Sequence, residues 1–229
     1  STQAKTLFPY TTLFRSITIF IVMKLKVIYQ VNYANGQPHI RVYENGRFEK
    51  RYRSGALRKV SDSHIVINAQ YEHVGKVVEY YEDGKIKAIW NQVLSSRVWT
   101  SYNTNHETFY VHKSGQYVEY HHNGMFSMIA NYQENNLEGV RTTFYKRGYK
   151  ESEGVYKSGL KSGLHKKWHP TGQLESEIEY DCDKKSGLCI KYYVTGQVWK
   201  RHYYQNGKKF GRCLTYNSDG EVTKEHVFS

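Results

Sequence analysis

The chain has 229 residues, enough for one domain or one repeat array, and carries a formal charge of +12 with a mean hydropathy of −0.73. Aromatic residues make up 15% and only 3 prolines accompany 18 glycines, which excludes a ring-poor disordered chain and a collagen-like or proline-rich segment. The basic balance favours anionic surfaces and names none of them.

Residues 6–16, TLFPYTTLFRS, read as the in-frame translation of a common short-read sequencing adapter, so residues 1–22 are expected to be a non-native leader before Met23. Removing them takes away Lys5 and Arg15 and no acid, lowering the formal charge from +12 to +10. The apolar run ITIFIVM is far shorter than the roughly 20 residues a membrane-spanning helix needs and lacks a small-residue cleavage site. With no convincing targeting segment, the expected location is cytoplasmic.

From residue 23 to 110 the chain reads as degenerate hairpin repeats. Gly46 and Gly55, and again Gly75 and Gly84, stand nine apart, while residues 91–110 break the pattern. From 111 to 229 the pattern is regular. Gly115, Gly139, Gly163, Gly187 and Gly211 recur every 24 residues, interleaved with Gly124, Gly148, Gly172, Gly196 and Gly220. Counted from the first glycine, the fifth position is always aromatic: Tyr80, Tyr120, Phe144, Trp168, Tyr192 and Tyr216. The third position is mostly apolar and the fourth polar, the alternation of a strand with one buried face. A tight turn follows at Gly84, Gly124, Gly148, Gly172, Gly196 and Gly220, where glycine supplies positive φ. Alternation resumes with an apolar eleventh position and with Tyr132, Tyr156, Tyr180 and Tyr204 at the seventeenth, so odd positions are expected on one face throughout. Each unit is therefore a β-hairpin. A lone hairpin is marginal in water, so the fifth-position rings are expected to stack between units and supply the missing core.

The segments GLHKKWHPTGQLESEIEYDCDKKSG and GLCIKYYVTGQVWKRHYYQNGKKFG resemble the MORN repeat in its variant form. The resemblance implies an all-β array of antiparallel hairpins forming one elongated, curled sheet. It also implies a non-catalytic role in scaffolding or protein interaction, with membrane attachment in some members. Bacterial proteins with the variant repeat are often labelled antitoxin components. Asn135 and Asp183 stand where the pattern usually has glycine.

The residues offer little catalytic chemistry, and no catalytic, cofactor or metal site is expected. His165 and His169 on a strand lie about 13 Å apart, too far to share a metal. Asp181 and Asp183 are ordinary turn residues. The adjacent His121 and His122 should face opposite sides. Cys189 and Cys213 recur at one position of successive units, about 10 Å apart, beyond disulfide reach.

One feature suggests binding. Lys161, Lys184, Lys185, Lys208 and Lys209 precede successive unit glycines and could line one edge as a contact for an anionic surface, or simply protect turns from pairing. The expected function is a non-enzymatic scaffold or protein-interaction module. The alternatives are a phospholipid-associating module using these lysines and an antitoxin-like binding protein. The expected partner is a protein, with an anionic membrane surface second, nucleic acid unfavoured and no small-molecule substrate. Exposure of Tyr145, Tyr193, Trp199 and Tyr203 separates an interaction surface from a passive spacer.

Overall fold

The structure, a computed structural model, describes residues 27–67, 70–101 and 104–229; the leader expected over 1–22 lies outside them. The described residues form strands only: β1 (Val27–Asn32), β2 (Pro38–Tyr43), β3 (Phe48–Arg51), β4 (Leu57–Ile67), β5 (Gln70–Tyr80), β6 (Ile86–Ser101), β7 (Thr104–Tyr120), β8 (Phe126–Gln133), β9 (Asn136–Leu137), β10 (Gly139–Phe144), β11 (Lys150–Lys157), β12 (Leu160–Trp168), β13 (Leu174–Asp181), β14 (Lys184–Tyr192), β15 (Val198–Gln205), β16 (Lys208–Tyr216) and β17 (Val222–Phe228). Each pairs antiparallel with the next, except that β9 and β10 both pair with β8 and not with each other, in one open 17-stranded sheet. Among the described residues no helix is long and apolar enough to cross a membrane.

Two kinds of turn alternate. The first closes at Gly84, whose N–H donates to the Tyr81 carbonyl at 3.0 Å while the Tyr81 N–H donates to the Lys85 carbonyl at 2.8 Å. Gly84 has φ +88°, a left-handed conformation costing other L-residues about 1–2 kcal/mol. Gly124, Gly148, Gly172, Gly196 and Gly220 repeat this geometry, as the spacing predicts. The second turn has two central residues, both at positive φ: Glu134–Asn135, Ser158–Gly159, Cys182–Asp183 and Asn206–Gly207. Two positive φ values match the twist of the flanking strands.

Asn135 and Asp183 replace glycine here for a visible reason. The Asp183 Oδ1 accepts the Lys161 N–H at 2.8 Å, and its own N–H donates to the Lys161 carbonyl at 3.0 Å. Asn135 makes the same pair with Lys113. Each such turn is thereby tied to the unit before it.

A second tie joins the first turns. The Tyr145 hydroxyl donates to the Trp168 carbonyl at 2.8 Å, and the Tyr193 hydroxyl to that of Tyr216 at 2.7 Å. Tyr33, Tyr52 and Tyr81 do likewise, and His121 joins through Nε2 to the Phe144 carbonyl at 2.7 Å. At these six turns the opening ring therefore bonds the backbone of a later unit, whereas the Tyr43 hydroxyl, at the Gly46 turn, donates to the Glu49 carboxylate. His169 holds the equivalent place, but its Nε2 is buried without a hydrogen-bond partner.

The two faces differ. Val42, Phe48, Val77, Ala88 and Ala130 are fully buried, which a single-layer sheet achieves only by bending over them or covering them with larger neighbours. They share one side, here the packed face, whose spine runs Val42–Phe48–Ser61–Val77–Trp90–Tyr117–Ala130 by direct cross-strand pairing. The spine continues through His165–Ile178–Cys189–His202 and then Cys213–His226. At Gly154 a β-carbon would overlap the His165 ring, so glycine makes room for histidine. Near the start of the array, buried Glu49 accepts from Arg51 at 2.6 Å, from Arg47 and from the Tyr43 hydroxyl. Burial pushes its carboxyl up, but the hydrogen bonds from Arg51 and Arg47 outweigh that and hold it below the usual range.

The expectation that odd positions share one face fails beyond the first turn. The third, fifth and eleventh positions occupy the opposite, open face. From the Gly55 turn onward a one-residue bulge after the first turn then shifts the phase, as between Glu119 and Tyr120 and between Lys191 and Tyr192. Tyr132, Tyr156, Tyr180 and Tyr204 consequently emerge on the packed face, where Tyr132 meets Tyr117 and Tyr180 meets His165. Buried side chains fall at the second, fourth, thirteenth and fifteenth positions of a unit, as at Val77, Thr143, Ala88 and Trp90, not at the third and fifth, which are half-buried.

Candidate functional site

The fifth-position rings line one margin of the open face. Tyr120 packs on Phe126 at 5.4 Å and Phe126 on Phe144 at 6.2 Å, so there the rings of adjacent units do stack. Tyr80, Trp168, Tyr192 and Tyr216 are half-buried with other companions. The Lys150 ammonium lies over Trp168 at 5.7 Å, and the Tyr192 hydroxyl donates to Glu177 at 2.7 Å. Burial and that bond push the Tyr192 phenol up to about 12. The rings thus share the joining of units with the turn hydroxyls, a link invisible to spacing alone because its acceptor is a backbone carbonyl.

Across the middle of the open face runs a paired row, Val60–Val78–Ile89–Val118–Ile129 and then Thr142–Glu153–Lys166–Glu177–Ile190–Arg201–Leu214–Glu225. It is aliphatic in the degenerate half and increasingly charged in the regular half. Lys166 and Glu177 pair at 3.0 Å and Arg212 and Glu225 at 2.6 Å. Beside this row on the last strands lie Leu188, Tyr203, Phe210 and Val227, with Leu188 opposite Tyr203 and Tyr203 opposite Phe210. Tyr203 is 42% exposed, Phe210 53% and Val227 66%.

The four diagnostic rings divide. Tyr145 and Tyr193 are half-buried and spent on inter-unit hydrogen bonds. Trp199 and Tyr203 are exposed, and Trp199 sits at the bulge with Lys191 and Lys200 near its ring.

The five lysines expected along one edge separate onto two sides. Lys161, Lys185 and Lys209 turn to the packed face, each ammonium over a ring: Tyr180 at 4.9 Å, Tyr204 at 5.0 Å and Phe228 at 5.1 Å. Lys184 and Lys208, one residue earlier, project from the other side and are exposed. The period-two strand, which the spacing of the glycines does not display, decides this.

On the packed face, burial and then the charges of Lys209, Lys200, Lys185 and Lys191 press the His202 imidazole down to about 4. Cys189, beside it, is buried and its thiol is pushed up by burial. Cys189 and Cys213 are unbonded, as is exposed Cys182. His165 lies in β12 with Nε2 against the Val155 carbonyl, and His169 lies beyond the strand end, so the two have separate surroundings. His121 is half-buried, whereas His122 is exposed and meets Asp83 at 3.1 Å. Asp181 ends β13 opposite Lys184.

The arrangement defines an all-β repeat protein built from 24-residue hairpin units with one packed and one open face. Residues 74–92 and 161–181 match the family described as MORN repeat variant, so the chain carries repeats of that kind in both its degenerate and its regular halves. No curated protein matches the chain at a significant level. It is similar to a chain in a structure of the Photorhabdus luminescens Tc holotoxin pore bearing TccC3-D651A, at 11% identity and a TM-score of 0.18. It is also similar to a chain in a crystal structure of TcdB2-TccC3-TEV, at 13% identity and a TM-score of 0.17. Each alignment covers 87% of this chain but only 12% and 13% of the other, and likeness at this level carries neither fold nor function across.

Proposed function

We propose that the chain is a non-enzymatic scaffold that binds a protein partner through the open face of β14–β17. The observation that carries this reading is the adjacent exposure of Tyr203, Phe210 and Val227 beside half-buried Leu188, on a face with no second layer among the described residues. Exposed contiguous apolar side chains mark interaction surfaces, and tyrosine and other rings are favoured anchors there. The test is site-directed photocrosslinking in the full chain. A benzophenone side chain at Phe210 is expected to give a discrete protein adduct that Tyr203→Ala weakens, while the same probe at exposed Lys146 gives none. Indistinguishable adducts from both positions would remove the reading.

The three unbonded thiols support a reducing compartment and hence a cytoplasmic site of action. The membrane alternative gains less, because its five lysines divide between two faces and do not form one ridge. Sedimentation with anionic vesicles at low salt checks it directly.

A further inference from the structure

The packed face of the last six strands carries a charge pattern that its packing does not require. Lys161, Lys185 and Lys209 occupy equivalent places on β12, β14 and β16, so they recur at every second strand. Strands lie about 4.7–4.9 Å apart, which sets these ammonium groups about 9.4–9.8 Å from one another. Each is steadied over the ring of the adjoining strand, so little side-chain freedom remains to be lost on binding. Across the face runs a second set, Lys191 paired with Lys200, then Thr215 paired with both Lys200 and Lys224.

Few carboxylates balance this charge: the Asp183 carboxylate lies at the Lys161 end, where it accepts the Lys161 backbone N–H at 2.8 Å. Glu177, Glu179 and Asp181 alternate onto the open side of β13, and Glu225 onto that of β17. Glu175, at the bulge, is engaged by Lys167 at 2.9 Å. Between β15 and β17 a cleft of about 270 Å³ opens, lined by Lys200, Lys209, Lys224, Thr215 and His226 together with Cys213 and Phe228. Burial first, and then the charges of Lys209, Lys200, Lys185 and Lys191, lower the basicity of His202 on this face.

We propose that this packed-face lysine array is a docking track for an extended acidic polypeptide segment that crosses the strands with a carboxylate at every third residue. The spacing selects the conformation. A polyproline II segment has three residues per turn and rises about 3.1 Å per residue, so every third side chain recurs at about 9.3 Å, close to the lysine interval. An extended β segment repeats a face at about 6.6–6.8 Å and falls out of step at once. A helix offers about 10.5 Å between residues seven apart, and its error against the track grows with every step. Single-stranded nucleic acid needs open ring faces for its bases, whereas Tyr180, Tyr204 and Phe228 each already carry a lysine ammonium.

The experiment is fluorescence anisotropy on the full chain at low salt with three labelled probes: a (Glu-Pro-Pro)4 peptide, a peptide of the same composition with its glutamates in one block, and a twelve-base oligothymidine. The (Glu-Pro-Pro)4 probe is expected to bind about tenfold more tightly than the block peptide and to weaken steeply as salt rises. Lys161→Gln, Lys185→Gln and Lys209→Gln together are expected to cost about 30-fold, and Lys184→Gln with Lys208→Gln to leave binding unchanged. If the triple variant loses its strand circular dichroism, a (Gln-Pro-Pro)4 probe on the native chain makes the same test, with loss of binding expected. Equal binding of the two acidic peptides, tighter binding of oligothymidine, or no binding of (Glu-Pro-Pro)4 at low salt each overturns the proposal. The outcome is separable from the open-face reading, because Tyr203→Ala and Phe210→Ala lie on the other side and are expected to leave peptide binding intact.

Discussion

Replacing His169 by tyrosine should strengthen the array. The rings that open the first turns bind backbone carbonyls of later units at 2.7–3.0 Å, from Tyr33, Tyr52, Tyr81, His121, Tyr145 and Tyr193. His169 opens a turn of the same form, with its N–H on the Gln173 carbonyl and the Gly172 N–H on its own carbonyl, yet its Nε2 is buried and unbonded. An unpaired buried polar atom costs about 1–3 kcal/mol, and a neutral hydrogen bond contributes about 0.5–1.5 kcal/mol net. His169→Tyr carries a hydroxyl to the Tyr192 carbonyl, the equivalent acceptor, for an expected gain of about 1–2 kcal/mol. Stability in a repeat array is a sum over units and their contacts, so the gain should concentrate near the substitution. In thermal unfolding it should raise the midpoint by about 3–6 °C. Native-state hydrogen exchange should show slower exchange in β12–β15 and little change in β2–β4. Tyr145→Phe is the converse and should cost about 1 kcal/mol beside the Trp168 carbonyl. If His169→Tyr is neutral or destabilising while Tyr145→Phe carries its cost, the carbonyl ladder does not determine how the units are joined at that turn.

Three other outcomes follow from the geometry. Gly154→Ala should destabilise by about 1–3 kcal/mol because its β-carbon overlaps the His165 ring, and His165→Ala in the same chain should recover most of that loss in a urea titration. His73 and His202 are held neutral, chiefly by burial, with folded-state values of about 3 and about 4. Below an unfolded value of about 6.5 the unfolded chain binds the extra protons, so stability should fall as pH drops from about 6.5 toward 4, and His202→Leu should flatten that decline in melts across the range. Asp183→Ala keeps the left-handed backbone and loses the bond to the Lys161 N–H, so it should cost about 1–3 kcal/mol, whereas Asp183→Gly, which relaxes the backbone, should cost less; chemical denaturation of the two variants ranks them.

The sequence by itself determined the unit. A 24-residue period of glycines, with a ring five places after each first glycine, requires hairpins joined by positive-φ turns, and those turns stand at Gly84, Gly124, Gly148, Gly172, Gly196 and Gly220. It also marked Asn135 and Asp183 as departures, since both fall where two left-handed residues must follow one another. Only the tertiary structure decided the faces. Alternation counts residues along one strand, whereas the bulges that shift its phase arise from pairing between strands, so Tyr180 and Tyr204 could not be placed from their position in the unit. The lysines show the same boundary: Lys184 and Lys185 are neighbours in the chain, but strand pleating sends one to solvent and the other over the ring of Tyr204. The turn-ring ladder was hidden for a further reason. Its acceptors are backbone carbonyls, which every residue carries, so no residue type at the receiving end announces the bond.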